Sequence, residues 1–577
     1  MIARRTLLTG AACVVAACAS AGGEGADAAL AALLERHADA IEATGGGPDR
    51  LPDYSLAARA NARTQNAARL RDLRSIPRTA LSRGAAIDYD TARFVYEAMA
   101  DQYARYGFSD INLRPSPYVV SQMNGAYFWL PDSIAARAPM ASAADGERYL
   151  SRLSDLAVAL DQESEHIAHD AGLGVIPPDF ILAKTLAQLT ALRDAPAEAN
   201  ALLAPAITRA RAAGIDIEAQ ARAIFSAELA PALTRQITAL EALAPRATRE
   251  AGVWAKPDGA AYYASALHSN TTAAHAPAEL HRLGLQWVSD YTAEIDRRLR
   301  AEGLSQGHVS ARMTALDRDP RFLKQDTAAG RAEIIAYANA RLDLMRALLP
   351  RGFTNAPNDP VEVRRVSPAI ETGAPGAFYS GGAPAVISIN LRSVEENALW
   401  RIPTLLHHEG VPGHHLQAGA LRAAPLSRFR RSVRFSAWTE GWALYAEQLA
   451  DELGAFDDDP FGRIGYLQGQ LFRACRVVVD TGIHHARWSR DQAIAWMVAN
   501  AGETQSAAER EIDRYCVYPG QACSFMVGKQ QIVAARAAAQ ARLGATFALR
   551  SFNDFVLASG PLPMDVLSAH VAHWTPR

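Results

Sequence analysis

Hydrophobic and polar positions change their period twice along this chain. From Ala29 to about Leu267, Ala, Leu, Arg and Glu recur in long runs of helical period, which predicts a succession of helices. The runs break at Gly45-Gly46-Gly47-Pro48, Pro115-Ser116-Pro117 and Pro177-Pro178, where turns are expected. No fixed-period repeat is present. Between Asp359 and Leu391 the period drops to two. Val361 and Val363 alternate with polar residues, and after Gly381-Gly382 the apolar Ile387, Ile389 and Leu391 alternate with Ser388 and Asn390. That pattern predicts a short strand pair. Helical period then returns. Ser393-x-x-Glu396 reads as a capping box that starts a helix, and Pro403 either kinks it or opens the next helix in its first turn. From about Arg431 to Leu453, Phe435, Trp438, Trp442, Tyr445 and Leu449 form one apolar stripe. The opposite face carries Glu440 and Glu447 beside the short Ser436, Thr439 and Ala443, which leave room for another helix to approach. The expected fold is mainly α with a small β-sheet.

Composition narrows the function classes. The 577 residues carry a formal net charge of −2 with 21% charged residues, so no basic field points to nucleic acid. After the leader no apolar run reaches the ~18 residues needed to span a bilayer. Met1 to Cys18 is itself a leader, with Arg4-Arg5, an apolar run through Ala17 and small residues at its end. Val15-Ala16-Ala17-Cys18 resembles a lipobox, which implies cleavage of residues 1–17 and lipidation of Cys18; an ordinary secretory cut nearby is the alternative. Arg4-Arg5-Thr6-Leu7-Leu8 also resembles a twin-arginine export signal. The expected location is the periplasm or outer membrane, tethered through residues 18–28. Regions 29–270 (helical) and 271–577 (catalytic) are read as one continuous two-lobed domain. Of five cysteines, Cys475, Cys516 and Cys523 follow the leader. Cys516 and Cys523 either pair in an oxidising compartment or stay as buried thiols.

The chemistry concentrates in His407-His408-Glu409-Gly410-Val411-Pro412-Gly413-His414-His415, where four of the chain's 15 histidines and a carboxylate fall within nine residues. The metalloprotease pattern H-E-x-x-H places two imidazoles one helical turn apart on zinc with the Glu as general base. Here the fifth position is Pro412, which has no ligand atom. On a straight helix His414 points away from His408, and His415 returns to the same face about seven residues, at ~1.5 Å each, too far along for one ion. Chelation therefore requires a deformed helix. Pro412-Gly413 supplies it, since proline removes a backbone donor and glycine admits unusual dihedrals. The pair reads as a two-residue bulge that carries His414 to where the second histidine normally sits, with His415 the alternative ligand. His407 and the unused neighbour are then supporting or packing residues. A catalytic zinc ordinarily takes a third protein ligand, and Glu440 either supplies it or belongs to a solvated face.

His408 to Gln417 as H-E-x-x-P-G-H-H-L-Q, Trp438-Thr439-Glu440-Gly441-Trp442-Ala443-Leu444-Tyr445, and Arg514-Tyr515 with Pro519-Gly520-Gln521-Ala522 occur in this order. Together they resemble the bacterial family catalogued as domain of unknown function 885, placed among gluzincin-type zinc metallopeptidases. The resemblance implies a large helical fold with a deep cleft, and a small sheet beside the zinc-binding helix. It implies zinc on His408, His414 and Glu440; Glu447, seven residues on along the same face, either orients a metal-bound histidine or is solvated. By likeness to other gluzincins a Tyr or His, here Tyr515 or His484, would bind the oxyanion, and an Arg such as Arg514, near Tyr518, would hold a substrate carboxylate. Asp480, four residues before His484, would fix the tautomer of that histidine. Pro277-Ala278-Glu279-Leu280-His281 resembles a further landmark, with His281 either facing the cleft or packed. The strand ending at Asn390 either pairs with extended substrate through its main chain or is a structural edge.

Glu409 is then the general base for a water whose pKa zinc lowers toward ~7. The function expected is an exported zinc peptidase acting on short peptides. Two alternatives stand: a metal-dependent hydrolase of another amide or ester, and a catalytically silent peptide-binding lipoprotein. A His/His/Glu set suits zinc without excluding manganese or cobalt.

Overall fold

The computed structural model describes residues 7–45, 47, 49–108, 111–368, 371, 376–382 and 384–576, with side chains from Glu24 onward. Arg4-Arg5 lies outside the described residues, as do the side chains of Cys13 and Cys18. The chain divides into two compact units, Met1–Tyr262 with Ser427–Ser432, and Tyr263–Leu426 with Val433–Arg577. The division falls before the expected residue 270, and a short later segment joins the first unit.

The first unit is helical throughout its regular structure. Helix α1 (Leu7–Thr44) continues through the residues read as a tether, whose alanines favour it, and ends at the glycine-rich break. Helix α2 (Ala143–Gly172) starts at a reciprocal capping box between Ser142 and Asp145, which satisfies two otherwise unpaired N–H groups. Its Tyr149, Leu153, Leu156 and Leu160 recur every three or four residues and are buried. They share one core with Leu233, Ile237 and Leu240 of α3 (Ala230–Glu241), the ordinary consequence of burying a 3.6-period stripe. Pro178 precedes the helix Asp179–Asp194, as the Pro-Pro break predicts.

In the second unit, α4 (Pro277–Ala301) opens with proline in its first turn. It is followed by α5 (Ala328–Gly352) and by β1 (Val361–Arg365), β2 (Ala377–Ser380) and β3 (Ala385–Ile389). The expected strand pair is a three-stranded sheet of order β1-β3-β2. β3 pairs in parallel with β1 and antiparallel with β2, so both of its backbone edges are occupied. The reading of the segment ending at Asn390 as an edge that takes substrate is therefore corrected, and β2 is an outer strand instead. No helix begins at Ser393; residues 393–401 form turns and irregular chain. α6 (Ile402–Glu409) begins instead with Pro403 in its first turn. Then come α7 (His414–Ala423), α8 (Ser436–Glu452), α9 (Pro460–His484), α10 (Gln505–Val517) and α11 (Gln521–Leu543).

Two glycines set a close helix approach. A Cβ on Gly441 of α8 would fall 2.5 Å from the Gly528 carbonyl carbon of α11, and one on Gly528 would fall 2.0 Å from the Ala437 oxygen. The side of α8 that carries Ala437 and Gly441 thus meets α11, and Ser436 on the small-residue face reaches the Ser524 hydroxyl of α11 at 2.7 Å. Cys475, Cys516 and Cys523 are buried free thiols, which answers the disulfide alternative. Among the described residues no helix is long and apolar enough to cross a membrane.

Candidate metal centre

The site is built by a break in one helical path. α6 stops at Glu409 and α7 resumes at His414, so the interruption spans Gly410 to Gly413, two residues more than the expected bulge. A Cβ on Gly413 would sit 1.9 Å from the His408 carbonyl oxygen. Only glycine lets the loop fold back so tightly on the end of α6. The buried Trp442 indole donates to the Pro412 carbonyl oxygen at 3.0 Å, pinning the loop from α8.

This fold-back brings the imidazoles of His408 and His414 to 4.9 Å between centroids, 85° apart in plane. Glu440 Oε2 lies 3.5 Å from His408 Nε2 and 3.3 Å from His414 Nε2. That oxygen is buried and makes no hydrogen bond, although the Glu440 side chain is 24% exposed. An unpartnered buried carboxylate oxygen is costly. Its spacing fits a metal better than a hydrogen bond: ligands on a tetrahedral ion at about 2.0–2.1 Å lie roughly 3.3–3.4 Å apart. Glu409 has an oxygen that lies within 4.8 Å of both histidines' ligand atoms, and its Oε2 accepts from the Tyr379 backbone N–H of β2 at 3.1 Å. The residues present therefore fit zinc on His408, His414 and Glu440, with Glu409 beside it.

Behind the ligands runs a hydrogen-bonded chain. His408 Nδ1 meets Glu447 Oε1 at 2.8 Å, Gln470 Nε2 donates to Glu447 Oε2 at 2.8 Å, and Lys529 Nζ donates to Gln470 Oε1 at 2.8 Å. Glu447 is wholly buried, so its charge is committed to this chain and fixes the ring of His408, as carboxylates behind ligand histidines do. Burial works against a charge on His408, but Glu440 and Glu447 outweigh it and raise its pKa to about 9. Glu440 is likewise held well below the carboxylate range by the two imidazoles, against its burial. Burial lowers Lys529 to about 8 against the opposing pull of Glu447 and Glu452.

Several expected residues are placed elsewhere. His415 lies with Nδ1 3.3 Å from the Tyr379 hydroxyl and Nε2 2.9 Å from the Asp359 carbonyl oxygen, so both ring nitrogens are engaged away from the cluster. His407 is buried against Phe456 at 5.2 Å. His281 packs edge-on to Trp488 and meets the Thr481 hydroxyl at 2.7 Å. The reading of His484 as oxyanion donor is corrected. Its Nε2 is 3.0 Å from the Tyr515 carbonyl oxygen in the core, and burial lowers its pKa to about 4. Asp480 does not set its tautomer but accepts from the Tyr263 hydroxyl at 2.7 Å and the Gly520 N–H at 3.1 Å. The Tyr515 hydroxyl donates to Glu511 Oε2 at 2.7 Å and Tyr518 is buried. Arg514 donates to Gln521 Oε1 at 2.9 Å, and Gln521 in turn donates to Ser436 Oγ at 3.2 Å, one turn before Glu440. Asn390 braces its own loop, donating to the Glu371 carbonyl oxygen at 2.8 Å. Two cavities of about 20 and 230 Å³ lie in the first unit, and none of these residues lines them. The deep cleft expected from the resemblance is not shown.

Fold and cluster together define a mainly α protein whose second unit gathers two histidines and two glutamates at a helix break. The chain belongs to the bacterial family of unknown function DUF885, whose model matches residues 41–571. Five solved chains are similar. One is "the putative lipoprotein from Colwellia psychrerythraea", 30% identical, TM-score 0.89, covering 96% of this chain and 99% of that one. Another is "a putative lipoprotein of unknown function from Shewanella oneidensis", 17% identical, TM-score 0.66, covering 94% and 98%; it bears on the fold alone. No curated protein matches.

Proposed function

We propose that this protein is an exported, lipid-anchored zinc peptidase that hydrolyses short peptides. The observation that carries the reading is the buried, unpartnered Glu440 Oε2, at metal-ligand spacing from two imidazole nitrogens. A zinc ion held there would supply Lewis acidity toward a peptide carbonyl and toward water. Glu409 takes the proton from the attacking water and returns it to the leaving amine. The Tyr379 N–H holds one oxygen of that carboxylate, leaving the other for the proton. Glu447, Gln470 and Lys529 keep the His408 ring oriented. Lipid anchoring at Cys18 rests on the lipobox and on the description of the 30%-identical Colwellia psychrerythraea structure as a "putative lipoprotein".

The test is hydrolysis of a mixed short-peptide library by the zinc-loaded mature chain, read by mass spectrometry. Wild type should release fragments. Glu409→Gln should keep its zinc and lose roughly 10²–10⁴-fold in rate. Zinc binding with no cleaved peptide would shift the reading to hydrolysis of another amide or ester. Cleavage undiminished in Glu409→Gln would overturn the mechanism.

A further inference from the structure

Between the helix that begins at His414 and the helix that carries Glu440, the chain leaves the second unit and then returns to it. Ser427–Ser432 belongs to the first unit, whereas α7 before it and α8 after it belong to the second. A loop needed only to join two helices can run over the surface with few buried groups. This one is held firmly in the first unit.

The grip is made by named side chains. Phe429 is buried, its ring centroid 6.0 Å from that of Tyr96, whose hydroxyl meets His37 Nδ1 of α1 at 3.0 Å. Arg430 is also buried. Its Nη1 donates to Asp88 Oδ1 at 3.0 Å, and the Ser427 hydroxyl donates to Asp88 Oδ2 at 3.2 Å. Asp88 and Tyr96 both stand on the helix Arg83–Arg105. Arg428 reaches Asp39 at 2.5 Å, Glu42 at 3.3 Å and Glu35 at 3.6 Å. Those carboxylates recur three or four residues apart on α1 and so share one face. The exposed pairs of Arg428 contribute little singly. The buried ring and the enclosed Arg430–Asp88 pair contribute more, because removing one partner of such a pair strands the other.

The arms on either side are short. Residues 424–426 and 433–435 connect the gripped segment to α7 and α8, and an extended chain spans at most about 3.5 Å per residue. Ala424, Val433 and Phe435 of those arms are themselves buried. α7 and α8 also meet directly, the Gln417 amide donating to the Trp438 carbonyl oxygen at 3.3 Å. That contact limits how far the helices can part, so release of the segment would loosen the ligand set without dispersing it.

We propose that residues 427–432 are a strap through which the first unit sets the spacing of the two ligand-bearing helices, so that zinc is held tightly only while the strap is gripped. This rests on the metal reading and adds to it a control point outside the cluster.

The experiment follows two quantities in the full mature chain. One is zinc affinity, by competition with a chelator. The other, in metal-free protein, is the distance between spin labels at Ala423→Cys on α7 and Glu452→Cys on α8, read by double electron–electron resonance; Cys475, Cys516 and Cys523 are buried and stay unlabelled. Phe429→Ala should broaden the distance distribution and weaken zinc about tenfold, the lower end of what groups supporting the ligands contribute. Glu35, Asp39 and Glu42 replaced together by Gln, a change confined to the surface of α1, should broaden it less and weaken zinc about two- to fivefold, as exposed ion pairs allow. Distances unchanged in both variants overturn the inference, and so does zinc affinity unchanged in both. A wild type that binds no zinc, with distances that broaden as expected, would sink the metal reading and leave the strap's control of helix spacing standing.

Discussion

Two glutamates, one in each unit, show how the same residue type serves opposite purposes. Glu163 of α2 is buried in the first unit, where its Oε1 accepts from the Ala126 N–H at 2.7 Å and its Oε2 from the Gln236 amide at 3.1 Å. Each of its oxygens has a partner from the chain itself. Glu440 of α8, in the second unit, has a buried oxygen that no donor of the chain satisfies, held near two imidazoles. A buried carboxylate completed by its own protein serves the fold, whereas one left incomplete marks a place where something else binds.

The comparison can be sharpened by removing supports on either side. The largest effect on the metal site is expected from Glu447→Ala, which frees the His408 ring and leaves the Gln470 amide only the Leu444 carbonyl oxygen as acceptor. Zinc affinity should fall about 10–100-fold, measured by competition with a chelator. Unchanged affinity would mean that the chain behind His408 does not hold the ligand. His484 tests the opposite category, a group that serves the core alone. Its folded pKa of about 4 lies below the ordinary histidine value, so its contribution is present above pH ~6.5 and is lost as pH falls toward 4. The loss should amount to roughly 3 kcal/mol by urea unfolding. His484→Gln should flatten that window and leave zinc content untouched. Glu163→Ala should cost about 1–3 kcal/mol by stranding the Ala126 N–H and leaving the Gln236 amide only the Leu160 carbonyl oxygen as acceptor, again with zinc retained; a variant that lost zinc would break the comparison. The smallest effect belongs to Tyr515→Phe, about 1 kcal/mol for the hydroxyl bond to Glu511. A large fall in turnover without loss of stability would return Tyr515 to the catalytic scheme.

Much of this was legible in the sequence because it rests on periodicity and spacing. The helices of the first unit follow their apolar stripes, Pro403 opens α6, and the displaced histidine spacing with Pro412-Gly413 announces that the helix must break. The length of that break was not legible, since it depends on how Gly410 and Gly413 nest against α6. β2 escaped because Ala377-Phe378-Tyr379-Ser380 lacks alternation and follows other small residues. Ser393-x-x-Glu396 failed as a helix start because the turns after it are set by tertiary contacts, among them the Leu399 N–H donating to the Phe322 carbonyl oxygen at 2.9 Å. His484 and Tyr515 misled for another reason: a reactive residue type near a motif says nothing about where its atoms point.

The most direct test is the metal content of the purified mature chain after zinc is supplied and excess removed, wild type beside Glu440→Gln and Glu163→Gln. Glu440 as a ligand predicts about one zinc per chain in wild type and Glu163→Gln, and none in Glu440→Gln. A folded wild-type protein that holds no zinc, or a Glu440→Gln variant that holds as much as wild type, would contradict it.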